Sequence, residues 1–82
     1  MSHIDHAARV PLSFLLPGAK ARVEAIDDAV DPTQREQLMA YGLAPDRPLL
    51  VLQQHPMMIV MIDEVELALE ACVARHIWVR RH

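Results

Sequence analysis

The residues able to do chemistry are few, and their spacing limits what they can do. Cys72 and His76 stand four apart in "EACVARH", a separation that stacks two side chains on one side of a helical turn and would let them chelate one ion. A structural zinc wants four ligands, and no CxxC or HxxxH pair elsewhere supplies the others. His55 is the candidate third, with distant carboxylates or an oligomer contact completing the set. The competing reading is a packed thiol beside a surface imidazole. His3, Asp5 and His6 cluster near the N-terminus, where a free amine with histidine at position three can wrap Cu(II) or Ni(II) in a square plane. Ser2 is small, so removal of the initiator methionine shifts that histidine to position two, and the expected binding is adventitious.

Three methionines in "MMIVMID", Met57, Met58 and Met61, suggest a soft-metal thioether site. The pleat of a strand splits them, with Met57, Ile59 and Met61 on one side and Met58, Val60 and Ile62 on the other. The run therefore reads as a strand buried on both faces, with methionine filling gaps where aromatics are scarce. Enzyme signatures are missing: there is no GxSxG, Walker A loop, GxGxxG or HExxH, and the two serines, Ser2 and Ser13, have no histidine base beside them. Asp27, Asp28 and Asp31 share one loop and read as solvated turn residues. The expectation is a protein that is not an enzyme and requires no cofactor.

The elements that must position these residues are short. Residues 1–9 read as a flexible tail, and "VPLSFLLPG" as an apolar turn bracketed by Pro11 and Pro17. "AKARVEAID" alternates as a half-buried strand, with Ala19, Ala21, Val23 and Ala25 on one side and Lys20, Arg22, Glu24 and Ile26 on the other. Asp31 as N-cap and Pro32 at the first helical position open a helix over about 33–41, with Leu38, Tyr41, Arg35 and Gln34 marking one side. Gly42 closes it and Pro45 forbids continuation. Strands follow at "PLLVLQQ", "MMIVMID" and "VELAL", then a helical turn near 70–75 and a last strand, "IWVRR". Connections this short favour antiparallel pairing, and hence a mainly β, small antiparallel barrel, over a parallel sheet.

Eighty-two residues, 52% of them hydrophobic, allow one small globular domain, placed at 10–82. A formal net charge of −3 with scattered basic residues argues against nucleic-acid binding. The single cysteine fits a reducing compartment. No apolar run approaches the roughly 20 residues of a membrane span, and the N-terminus lacks a signal core. A cytoplasmic protein without direct membrane insertion is expected. Exposed edge strands leave room for homo-oligomer pairing.

Four segments in order resemble the FeoA family, the small proteins of bacterial ferrous-iron uptake. "PLSFLLPG" is similar to the family's opening Pro-Leu-Ser-x-Leu-x-Pro-Gly, and "VEAI" resembles its first strand. "REQLMAYGLAPD" resembles its helix stop, Arg-x-x-Leu-x-x-x-Gly-Leu-x-Pro-Gly, and "LALEACVARHIWV" its closing strands. The resemblance runs from Pro11 to Val79. It implies an SH3-like β-barrel with a short helix, and a non-catalytic role contacting the membrane transporter FeoB, which carries a cytosolic GTP-binding domain, in support of Fe(II) import. The candidate partner-binding residues are Met39, Tyr41, Leu43, Ala44, Pro45, Asp46 and Arg47, for which the competing reading is fold closure. The same domain type ends DtxR-class metal-dependent repressors. This leaves two alternatives: a regulator or sensor binding Fe(II), Zn(II) or Mn(II) through Cys72, His76 and His55, or a stand-alone domain of the repressor type. The chain departs from the family pattern at Asp46, which stands where glycine is usual, at Met57, which follows His55 and Pro56 without a turn, and at Asp63 and Glu64, which lack the customary glycine.

Overall fold

The protein, described by a computed structural model over residues 9–81, is built on one antiparallel sheet. Its strands are β1 (Val10–Pro11), β2 (Lys20–Ile26), β3 (Pro48–Gln53), β4 (Met58–Ile62), β5 (Val65–Leu69) and β6 (Ile77–Arg81), in the spatial order β1-β6-β2-β3-β4-β5. A single 3₁₀ turn (Leu12–Phe14) follows β1, helix α1 (Pro32–Ala40) lies between β2 and β3, and a one-turn helix α2 (Ala71–Ala74) precedes β6. The expected barrel is an open one, because among the described residues no ladder joins the edge strands β1 and β5. The 3₁₀ turn packs against β6 and α2. His3, Asp5, His6 and His82 lie outside the described residues.

The inner face of the sheet holds the core. Val23, Leu49, Val51, Met58, Val60, Ile62, Ile77 and Val79 alternate inward, joined by Leu12, Leu15 and Leu43 from the turns. Each such side chain contributes about 1.5–3 kcal/mol when fully buried. The alternation of β4 is as read from the sequence, but its second face is only half covered: Ile59 and Met61 are half-buried, and Met57 lies outside the strand and is exposed. One side of β4 therefore remains available.

In β2 the inward set is corrected. Val23 pairs with Val79, but Ala25 pairs with Trp78 and Ile26 with Ile77, so one extra residue is inserted between Val23 and Ala25. A bulge of this kind reverses the parity of everything beyond it. Ile26, expected on the outer side, instead packs against the core.

Helix α1 starts as its sequence dictates. The Asp31 carboxylate accepts the N–H groups of Thr33 and Gln34 at 3.0 and 3.3 Å, and Pro32 occupies the first turn. Its expected buried stripe is narrower than the spacing suggests: Leu38 is buried and Arg35 half-buried, whereas Gln34 and Tyr41 face solvent. The helix closes as a Schellman motif. Leu43 N–H donates to the Leu38 carbonyl at 2.9 Å, Gly42 N–H donates to the Met39 carbonyl at 3.0 Å, and Leu38 and Leu43 are both buried. Gly42 holds φ at +108°, and a Cβ there would lie 3.1 Å from Ile62 Cγ2.

Candidate functional site

The helix stop is fastened to the sheet by its backbone. Asp46 N–H donates to the Val23 carbonyl at 2.8 Å, and Val23 N–H donates to the Arg47 carbonyl at 3.0 Å. The Arg22 guanidinium donates to the Asp46 carbonyl at 2.8 Å. Asp46 has φ +73° and Asp63 has φ +53°, so aspartate takes the left-handed conformation at two turns where glycine is usual, as short polar side chains can. Arg47 forms an ion pair with Asp63, tying the helix stop to the β4–β5 turn.

The seven residues expected to bind a partner separate by burial. Leu43 is 0% exposed and belongs to the core, so at that position fold closure is the role. Ala44 is half-buried. Met39 and Tyr41 are 42% and 58% exposed, and Pro45, Asp46 and Arg47 are also at the surface. The corner thus presents two large apolar side chains and a proline on a backbone that the Schellman bonds and the β2 contacts hold rigid.

The metal candidates sit in three settings. The Cys72 thiol is exposed and lies 3.7 Å from Glu70 Oε1. His76 is half-buried, with Nδ1 3.9 Å from Asp27 Oδ2. His55 is exposed between β3 and β4. The stacking expected of Cys72 and His76 requires the helix to reach both, and α2 ends at Ala74. Among the described residues, no group of three or more His, Cys, Asp or Glu side chains is placed to hold a metal ion.

Asp27, expected to be a solvated turn residue, is one and is also a junction. Its N–H donates to the His76 carbonyl at 2.8 Å, and its Oδ1 accepts Ala29 N–H at 3.0 Å. Its Oδ2 accepts the Trp78 indole N–H at 3.5 Å, and its carbonyl accepts from Arg35, which also pairs with Asp28 at 3.1 Å. The Ala29 N–H, followed by the Trp78 indole, holds the Asp27 carboxyl below the ordinary carboxylate range. Arg9 lies over the Trp78 ring at 5.3 Å. These contacts join the end of β2, the following loop, α1 and β6, which makes the cluster a structural clasp.

The sequence reading missed a feature on the outer face of the sheet. Lys20 pairs with Leu50 and Leu50 with Met61, a row crossing β2, β3 and β4. Leu50 and Met61 are half-buried there. With Lys20, Ala21, Pro48 and Leu49 they line a hollow of about 230 Å³ whose walls are almost entirely carbon. A signal was present: "PLLVLQ" is apolar at successive positions, more than a strand with one solvated face requires.

Among the described residues, no helix is long and apolar enough to cross a membrane. A search of curated protein sequences found no match. Solved structures provide comparisons at the level of the whole chain. The crystal structure of an iron uptake regulatory protein (FeoA) is 32% identical, with a TM-score of 0.79 over 92% of this chain and 100% of that one. The FeoA protein from Chlorobium tepidum is 29% identical, with a TM-score of 0.80 over 88% of this chain and 70% of that one. A manganese-dependent transcriptional repressor is 27% identical, with a TM-score of 0.83 over 96% of this chain but 44% of the repressor, so the chain spans less than half of that protein's length. The open, curved sheet is the SH3-like fold of these proteins. The model of the FeoA domain matches residues 10–81, nearly the whole sequence, and the chain belongs to the FeoA family.

Proposed function

We propose that this protein is a non-catalytic accessory component of ferrous-iron transport, working in the cytoplasm by docking onto the cytosolic part of an FeoB-type membrane transporter. The FeoA-domain match over residues 10–81 carries the reading, and the 32% identity to an iron uptake regulatory protein supports it. The corner formed by Met39, Tyr41 and Pro45 offers exposed apolar contacts on a fixed backbone, which is the form in which loops carry binding function. The test is capture of the purified protein by the cognate transporter's cytosolic region, with Fe(II) uptake measured in a deletion strain. Capture that weakens in Tyr41→Ala, together with lowered uptake, is the expected result. No capture and normal uptake would sink the proposal.

A second reading draws on the similarity to the manganese-dependent repressor: a regulatory domain that acts in trans on a DNA-binding partner or responds to a divalent metal. Titration of Mn(II), Fe(II) and Zn(II) against the native protein and Cys72→Ala separates the two. Tight binding that the substitution abolishes would favour the regulator, and weak binding unchanged by it would remove this reading.

A further inference from the structure

For a chain of net charge −3, one end of the sheet is notably basic. Lys20 and Arg22 at the start of β2 lie beside Arg80 and Arg81 at the end of β6, where Arg22 pairs with Arg80 and Ala21 with Arg81. Four of the eight Lys and Arg residues are gathered there. Arg80 is neutralised by Glu24 at 3.0 Å, and Arg22 is committed to the Asp46 carbonyl. Lys20 and Arg81 form no ion pair among the described residues. Of the acidic residues, Asp27, Asp28, Asp31 and Glu36 lie in the loop beyond the other end of β2 and in α1. Glu24 is paired with Arg80, and Glu66 stands opposite Met61 on β5, continuing the row of Lys20, Leu50 and Met61. With seven residues at about 3.3 Å each, β2 separates the two ends by roughly 20 Å, more than a Debye length at physiological salt. The basic end therefore acts on a ligand as a local positive field.

Two hollows meet at Lys20. The carbon-walled hollow on the outer face, built on Pro48, Leu50 and Met61, lies on one side. A second, of about 370 Å³, is lined by Leu15, Leu16, Ala19, Lys20 and Arg81. Leu16 is 63% exposed at its rim. The first hollow suits an apolar side chain, and the second offers Leu15, Leu16 and Ala19 as an apolar wall beside two cationic residues. Lys20 and Arg81, which form no ion pair among the described residues, suit an anion. A second copy of this chain presenting the same patch would bring Lys20 and Arg81 against their own kind, so a two-fold self-contact is disfavoured.

We propose that this end of the sheet is a docking groove for an extended segment of a partner protein in which acidic residues alternate with leucine-sized apolar residues. The apolar side chains seat in the two hollows flanking Lys20, and a carboxylate faces Lys20 and Arg81. Where that partner is the transporter's cytosolic part, the proposal rests on the docking reading above and supplies the chemistry of the segment that is bound. Charge complementarity gives the contact its selectivity and speeds encounter.

The test is a titration of ¹⁵N-labelled protein with a capped synthetic peptide, Leu-Glu-Leu-Asp-Leu, followed by amide chemical shifts, with Leu-Lys-Leu-Lys-Leu and phosphatidylglycerol vesicles as parallel probes. The acidic peptide is expected to shift Lys20, Leu50, Met61 and Arg81, and binding should weaken about tenfold in Lys20→Glu/Arg81→Glu. Both residues are exposed, and Lys20→Gln/Arg81→Gln serves as the milder variant should charge reversal disturb folding. Shifts confined to residues 39–47, equal binding of the basic peptide, or binding of vesicles without binding of the acidic peptide would overturn the proposal. In the transporter-capture assay, retention by Lys20→Glu/Arg81→Glu at the wild-type level would overturn the groove as the transporter's contact. Failure of the wild-type protein to be captured at all would instead count against the docking reading, while the peptide titration still decides the groove.

Discussion

Replacing Gly42 with alanine tests the packing of the helix stop against the core. The φ of +108° at Gly42 is well beyond the left-handed helical basin near +57°, and an L-residue pays about 1–2 kcal/mol even inside that basin. The new Cβ would stand 3.1 Å from Ile62 Cγ2, and Ile62 is 1% exposed, enclosed in the centre of the core. Relieving such an overpacked contact costs about 1–3 kcal/mol, while the lower chain entropy of alanine in the unfolded state returns about 0.4–1 kcal/mol. A net loss of about 1–4.5 kcal/mol, centred near 3, follows, against the roughly 4–12 kcal/mol that a domain of 82 residues possesses. The melting temperature should fall by about 10–20 °C. Gly18→Ala is the matched control: φ there is +92°, but beyond its chain neighbours no heavy atom lies within 4 Å of the added Cβ, so the backbone cost of about 1–2 kcal/mol is offset only by the same entropy return of about 0.4–1 kcal/mol. Urea and thermal unfolding followed by circular dichroism measure both variants. A loss for Gly42→Ala no greater than that for Gly18→Ala would show that the close approach to Ile62 has no energetic consequence.

The other predictions separate fold from surface and test the two acidic anchors. Leu43→Ala should destabilise the protein by about 2–5 kcal/mol, the cost of a cavity at a position 0% exposed, whereas Tyr41→Ala should stay within about 0.5 kcal/mol of wild type in the same urea assay while weakening capture by the transporter. Asp31→Ala removes the acceptor of the Thr33 and Gln34 N–H groups and should cost about 1 kcal/mol, read as a lowered urea midpoint with an unchanged slope. For Asp27 the folded carboxyl titrates below its unfolded value, so its contribution is present above the unfolded pKa and disappears as pH falls through the folded one. Asp27→Asn should therefore be less stable than wild type at pH 7, with the gap narrowing towards pH 3; a gap that stays constant between the two would rule out the carboxylate as its source.

What could be read directly from the chain was what is decided within a few residues. Asp31 and Pro32 open α1, Gly42 closes it, and the pleat of β4 separates Met58, Val60 and Ile62 from Ile59 and Met61, because each of these choices depends on local backbone geometry and period. The same locality explains why Asp46 and Asp63 could replace glycine without loss of their turns. The misreadings share a different cause. The bulge in β2 exists only relative to β6, so the parity of Ile26 could not be known before Ile77 was placed opposite it. The stacking of Cys72 on His76 assumed a helix continuing past Ala74, and the return of the chain into β6 ends it there. The bond from Trp78 to Asp27 joins residues 51 positions apart. The groove is the strongest case, since Lys20, Leu50 and Met61 become neighbours only through the registers of two strand pairs. A surface assembled by register leaves one local trace, an apolar residue where alternation calls for a polar one. Leu50 carries that trace: it is half-buried on the outer face, where strict alternation calls for a polar side chain.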